Sequence, residues 1–259
     1  MADNRPVLKK ELSNILNSSG YIPLEYIRFN GSSYVTTNYI PYNDTRIVTK
    51  FDYTEKSSNT KWLFGSRKSV GSTSFCVLVL NGKTFRTDYA TKSMEVNGVS
   101  ATGMHTLDKN KNVTLLDGVT VTQTYSTFTC PVPMAIGALN ESAGIDDRCA
   151  TMNLYYFKVY DNTTLTLDLI PAMDSNTSKC GLYDKVNKHF YTATVGDFIA
   201  GPKANSFLID ADRSLELLEE ASIATVGDLA DILRKDIDAE LKGKILTVDN
   251  LKAIIDLYR

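Results

Sequence analysis

Histidine is nearly absent from the 259 residues: there are two, His105 and His189. A Ser-His-Asp or Cys-His centre needs one well-placed imidazole, and neither histidine sits in a nucleophile-elbow context. Both read as surface or strand-end residues. No glycine-rich phosphate loop precedes a helix. The four cysteines, Cys76, Cys130, Cys149 and Cys180, include no C-x-x-C pair. With so few histidines, paired zinc ligands are missing as well, and the cysteines read as buried thiols. No stretch approaches the ~20 apolar residues of a membrane-spanning helix. The start, MADNRPVLKKELSNIL, lacks the apolar core of a secretory signal, which leads us to expect synthesis and folding in a cytosol. The seven N-x-[ST] sequons, from Asn17 to Asn176, then read as Asn/Ser/Thr-rich loops rather than glycan sites. Charge of one sign is also lacking. The formal net charge is −2, so nothing points to nucleic acid or to an anionic membrane.

What is present is ordinary globular composition, 43% hydrophobic and 22% charged, in three regions. The first, residues 1–20, reads as a short amphipathic helix with Val7, Leu12, Ile15 and Leu16 on one face. It is either a packed leader or an anchor that docks on a larger assembly. The second, residues 21–202, is rich in Tyr, Thr, Val and Phe and nearly lacks helical periodicity. Arg46–Thr54 alternates, with Ile47, Thr49, Phe51 and Tyr53 on one face. Leu154–Tyr160 also alternates, which puts Tyr155, Phe157 and Val159 together. Phe75–Leu80 is apolar throughout, as a central strand covered on both faces would be. Turn dipeptides recur about every ten residues, among them Asn30-Gly31, Asn81-Gly82, Asn97-Gly98 and Asp117-Gly118. Val113–Val121 reads as one complete hairpin. Many short strands at this spacing mean a sandwich or a barrel.

The third region, residues 203–259, is patterned as helices. Thr225 caps one and Thr247 another, and the apolar positions Leu229, Ile232 and Leu233 correspond to Leu251, Ile254 and Ile255 at a constant offset of 22 residues. Helix rules alone can produce such similarity, and so can a duplicated, stackable unit. A hairpin of two such helices has a thin core, so the six positions are candidates for an assembly contact, with a homotrimer as the expected state.

Acidic chemistry is sparse in the strands. Asp52, Asp88 and Asp168 lie in strand-like segments, with no Glu at the spacing that a glycosidase pair needs. The acidic run Glu141–Asp147 reads as a loop. It is either a solvated loop or a calcium site built from Asp146, Asp147 and backbone carbonyls. Saccharide binding favours an aromatic platform beside planar polar groups. The one tryptophan, Trp62, opens an apolar strand, where it serves either the core or a sugar stack. The fourteen tyrosines cannot be ranked from sequence.

Several stretches within residues 24–202 resemble one family. They are Leu24–Thr37, Trp62-Leu-Phe-Gly-Ser-Arg67, and an ordered C-terminal series. That series runs Leu154–Asp161, Leu167–Ala172, Gly181–Asn187, Phe190-Tyr191 and Phe198–Pro202. Together they look like the concanavalin A-like, laminin-G-like lectin domains of phage and prophage structural proteins of gut bacteria. The resemblance implies a mainly β fold: a two-sheet antiparallel jelly-roll sandwich, flanked here by the N-terminal helix and the C-terminal helical module. Glycine's conformational freedom suits Gly181 and Gly201 to tight turns. The resemblance implies no catalytic residues. It further implies a virion structural protein, a head or tail fibre or decoration protein that contacts other virion proteins and attaches to host-surface polysaccharide. Competing expectations are a bacterial carbohydrate-binding surface module, a structural capsid- or tail-binding protein without ligand, and, least supported, a glycan-cleaving enzyme.

Overall fold

The structure, a computed structural model, describes residues 20–55 and 57–203. The helices expected at the two ends lie outside the described residues, as do Leu229, Ile232, Leu233, Leu251, Ile254 and Ile255. One compact unit, Pro23–Pro202, holds nearly everything described.

The described strands are β1 (Tyr21–Pro23), β2 (Ile27–Asn30), β3 (Val35–Thr36), β4 (Thr45–Tyr53), β5 (Lys61–Arg67), β6 (Ser74–Leu80), β7 (Thr84–Ala90), β8 (Lys92–Val96), β9 (Gly103–Asn110) and β10 (Val113–Leu116). They continue with β11 (Val119–Thr122), β12 (Ala135–Ile136), β13 (Leu139–Glu141), β14 (Gly144–Asp146), β15 (Thr151–Asp161), β16 (Thr164–Asp174), β17 (Cys180–Asp184), β18 (His189–Tyr191) and β19 (Ile199–Ala200). No α-helix occurs among the described residues.

The larger sheet runs β11-β10-β9-β4-β15-β16-β17-β18, with β2 beside β15 and β19 beside β2. The smaller runs β14-β13-β5-β6-β7-β8, with β12 beside β5 and β3 beside β12. The main ladders pair antiparallel, whereas β13 runs parallel to β5. The sheets meet through aromatic side chains. Phe51 of β4 packs on Phe85 of β7 at 6.1 Å between ring centroids, and Phe64 of β5 on Phe157 of β15 at 5.2 Å. Such pairs add specific geometry to the burial of apolar area that holds a sandwich together.

Several sequence expectations hold. Ile47, Thr49, Phe51 and Tyr53 all face the core. β6 lies between β5 and β7 and is buried on both faces. β10 and β11 form the expected hairpin, closed by Asp117 and Gly118 with φ of 48° and 86°, the pair of left-handed residues that a tight hairpin turn requires.

Others need correction. Tyr155 does not join Phe157 and Val159 in the core. The register of β15 against β4 slips between Leu154 and Tyr156, and this β-bulge turns Tyr155 outward beside Tyr156. Gly181 and Gly201 are not turn residues. Each leaves room for neighbouring backbone: a Cβ on Gly181 would lie 2.3 Å from the Tyr191 carbonyl oxygen, and one on Gly201 would lie 2.5 Å from that of Tyr26. Glu141–Asp147 is not a plain loop but contributes to the β13–β14 hairpin. Cys76, Cys130 and Cys149 are buried, whereas Cys180 is only half-buried.

Two basic side chains are enclosed between the sheets. His105, read from sequence as a surface residue, is 3% exposed, with the Phe51 and Phe85 rings 5.3 and 4.8 Å away. Its Nδ1 lies 2.6 Å from Asp117 Oδ2. Lys109 is wholly buried. Its Nζ donates to Thr87 Oγ1 at 2.6 Å and lies 4.6 Å from the Phe75 ring centroid. Burial away from water disfavours the ammonium and pulls Lys109 down to about 8, from the 10.5 of a free lysine. The folded state therefore binds fewer protons than the unfolded state between those values, and stability from this group rises with pH across that interval. Below about pH 8 the full desolvation cost applies, on the order of 3 kcal/mol. Lys109→Met keeps the volume and removes the charge. Its urea midpoint should exceed that of the parent chain at pH 7, and the gap should narrow towards pH 10. A gap that stays constant with pH, or a variant less stable at pH 7, would rule out a charged, desolvated Lys109.

Candidate ligand-binding face

A sandwich offers a ligand its outward faces, its rims and its loops. Strand alternation decides what the outward face of the larger sheet carries. On β4, Arg46, Val48, Lys50 and Asp52 point away from the core. On β15 the bulge restarts the alternation, so Asn153, Tyr155, Tyr156, Lys158 and Tyr160 all face outward. Tyr26, just before β2, and Arg28 within it flank the buried Ile27. Register aligns these side chains in rows. Arg28 lies opposite Asn153, which lies opposite Asp52; Tyr156 is opposite Lys50, and Tyr160 is opposite Arg46.

The rows form a half-buried aromatic platform with polar groups fixed beside it. The Tyr26 and Tyr155 rings lie 5.6 Å apart at 57°. Lys50 Nζ sits 5.3 Å from the Tyr155 centroid, and the Arg46 guanidinium carbon 5.3 Å from that of Tyr160. Arg46 is held bidentately by Asp108, at 2.9 and 2.6 Å. Partial burial raises the hydroxyls of Tyr155 and Tyr156, and the carboxylates of Asp52 and Asp108 respectively push in the same direction. These phenols stay protonated at neutral pH and keep an O–H to donate. The bulge is the feature that sequence reading missed. Two adjacent tyrosines in an otherwise alternating strand were its only trace.

The residues singled out from sequence lie on the other sheet. Trp62 is 2% exposed on the outward side of β5, where it packs with Cys76, Leu78 and Leu139. The guanidinium carbons of Arg67 and Arg148 lie 5.0 and 5.3 Å from its ring centroid. Arg67 is paired with Glu141, and Arg148 donates from Nε to Asp146 Oδ1 at 2.9 Å. The structure thus brings Trp62 and Asp146 together, with the indole N–H beside the carboxylate but outside hydrogen-bonding geometry. Burial alone would raise Asp146, but the bonds from the Arg148 side chain and backbone outweigh it and hold the carboxyl below its usual range. Asp147 is exposed. Among the described residues no three His, Cys, Asp or Glu side chains converge as a metal-ligand set, and both Asp146 oxygens accept from Arg148.

The strand carboxylates are likewise engaged. Asp88 accepts two bonds from Arg86 at 2.8 and 2.9 Å, and Asp168 faces Lys185 at 3.3 Å. Asp52 accepts from Asn153 Nδ2 at 3.2 Å.

Solved structures similar to this chain are laminin G domains and a pentraxin, both concanavalin A-like jelly-roll folds. One is the mouse laminin alpha1 chain, domains LG4-5, at 17% identity and a TM-score of 0.45, covering 71% of this chain and 48% of that chain. Another is the native heptameric SAP-like pentraxin from Limulus polyphemus, at 10% identity and a TM-score of 0.41, covering 73% of this chain and 97% of that chain. The chain thus spans about half the length of the laminin chain it matches. No protein-family model matches the chain, and no curated protein matches it.

Because Trp62 is the single tryptophan and is enclosed under two guanidinium groups, its emission should be blue-shifted and poorly quenched by iodide. Saccharide ligands should leave that emission unchanged. Efficient quenching, or a saccharide-dependent shift, would make Trp62 a ligand contact after all.

Proposed function

We propose that this chain is a non-enzymatic, lectin-like module that binds saccharide on the outward tyrosine face of its larger sheet. We further propose that it does so as part of a phage virion, in a fibre or decoration protein that attaches to host-surface glycans. The observation that carries the binding reading is the Tyr26, Tyr155, Tyr156 and Tyr160 platform beside Arg28, Lys50 and Asn153. Pyranose rings pack their apolar faces on such rings, while fixed polar groups read the hydroxyls. The non-enzymatic reading is supported by the state of the acids. Asp52, Asp88 and Asp168 are each committed to a partner, and the His105 Nδ1 is occupied by Asp117. The virion setting rests on the sequence resemblance, together with the extra helical segments read at both ends.

An open face, unlike a deep pocket, leaves much of a sugar in water. A single site should therefore bind at roughly 0.1–1 mM, and attachment would draw on several copies acting together, as in the proposed homotrimer. Binding of the full chain to immobilised gut-bacterial surface polysaccharides tests the reading. Tyr155→Ala should weaken binding about tenfold, the equivalent of ~1.4 kcal/mol, at an unchanged melting temperature. No reducing ends should be released on incubation. Undiminished binding by Tyr155→Ala would remove the face from consideration, and sugar release abolished by one Asp or Glu substitution would make the protein a hydrolase.

A further inference from the structure

The charges on the tyrosine face are not evenly matched. Asp108 is held by Arg46 at both oxygens. Asp168 is shared by Lys185 at 3.3 Å and Lys158 at 3.9 Å. Asp52 is engaged by Asn153, whose Oδ1 in turn accepts from Arg28 Nε at 3.1 Å. That relay fixes the Arg28 side chain without neutralising it. Among the described residues no carboxylate forms an ion pair with Arg28 or with Lys50, and Lys50 instead lies against the Tyr155 ring. Besides the phenol O–H groups, two cationic donors are thus left, and they stand beside the tilted pair Tyr26 and Tyr155.

A neutral sugar is usually read by carboxylates and amides that accept from its hydroxyls. Here Asp52, Asp108 and Asp168 each have a partner and Glu25 is exposed, while Arg28 and Lys50 have no carboxylate partner among the described residues. A guanidinium and an ammonium recognise anions by charge-assisted hydrogen bonds. We infer that the ligand of this face is an anionic saccharide, a pyranose chain bearing a carboxylate, sulfate or phosphate. Its ring lies on Tyr155 and Tyr26, and its anionic group meets Lys50 and Arg28. The inference rests on the binding reading above and names its substrate class. Asp52 and Glu25 are the carboxylates whose charge reaches Tyr155. Glu25 is exposed at the rim, where it opposes an incoming anion and limits affinity.

Affinity electrophoresis of the full chain tests this with four polymers: polygalacturonate, chondroitin sulfate, a glycerol-phosphate teichoic acid and neutral dextran. The three anionic arms separate carboxylate, sulfate and phosphate as the source of charge. At least one anionic polymer should retard the chain where dextran does not, and the retardation should fall between about 50 and 300 mM salt. Lys50→Ala and Arg28→Ala should each weaken it about three- to fivefold, and Glu25→Gln should strengthen it. Tyr155→Ala should weaken it about tenfold. All variants should keep the parental melting temperature. Retardation by dextran that Tyr155→Ala abolishes and Lys50→Ala leaves untouched would overturn the anionic class while leaving the binding face in place. Retardation by an anion that Tyr155→Ala does not change would overturn both, because charge alone would then be acting. Absence of retardation by all four polymers would also overturn both.

Discussion

Two sheets packed face to face can shield only two of their four faces from water through each other. What the chain does with the remaining two decides where a ligand can bind. On the smaller sheet the outward side is closed by its own side chains. Trp62, Cys76, Leu78 and Leu139 form a second apolar cluster there, and the guanidinium groups of Arg67 and Arg148 lie over the indole. Each arginine is in turn held by an acid, Glu141 or Asp146. An arginine placed this way covers apolar surface with its stem and satisfies its charge at its tip. On the larger sheet Arg46 and Lys50 lie against Tyr160 and Tyr155, and among the described residues the tyrosines of this face stay half-buried rather than enclosed as Trp62 is. Among the described residues, the candidate face is therefore the less covered of the two.

The shared core is not purely apolar, and its polar members are arranged to limit their cost. Thr87 accepts from Lys109 and also bonds Thr114, at 3.0 Å, while its carbonyl accepts from Gln123 Nε2 at 3.2 Å. One threonine thus ties β9, β10 and the segment after β11 to β7 across the sandwich. His105 is oriented by Asp117, which also accepts from the Thr106 backbone N–H at 2.8 Å. Burial would raise the Asp117 carboxyl, but that bond and the contact with His105 outweigh it, so Asp117 sits below its usual range. The hairpin turn thereby acquires a tertiary role. The same Asp117 whose left-handed backbone closes β10 onto β11 also anchors a side chain of β9.

Local periodicity carried the parts of this fold that depend on neighbouring residues. The period-two pattern of Arg46–Thr54 placed four core residues, because β4 lies between β9 and β15 with one face inward. The unbroken apolar run Phe75–Leu80 marked a strand covered on both sides, though not what covers it. The missed parts were non-local. Arg148 reaches Trp62 from 86 positions along the chain. His105 looked like a strand-end residue because Phe85, which packs on it, belongs to the other sheet. The bulge at Tyr155 misled for a different reason. An extra residue shifts every side chain beyond it, so a strict alternation assigned Tyr155 to the face opposite its own.

That shift also decides which tyrosines share the face. Without the extra residue, β15 would carry one outward tyrosine beside Lys50 rather than two. The bulge places Tyr155 next to Tyr156 and within 5.6 Å of Tyr26, which widens the platform across β15 and the start of β2. Bulges bend and twist the strand that carries them, and they re-aim side chains at functional surfaces. Here the re-aimed residue is the one that Lys50 lies against. An aromatic ring beside a cation that is unpaired among the described residues offers apolar surface and charge together, whereas Tyr160, further along β15, lies beside an Arg46 that Asp108 already holds. Arg46 is already held by Asp108, and Lys158 and Lys185 already face Asp168, so a ligand displacing them would gain little. The proposed binding site thereby centres on the end where β2, β4 and β15 meet, around Tyr26, Arg28, Lys50 and Tyr155.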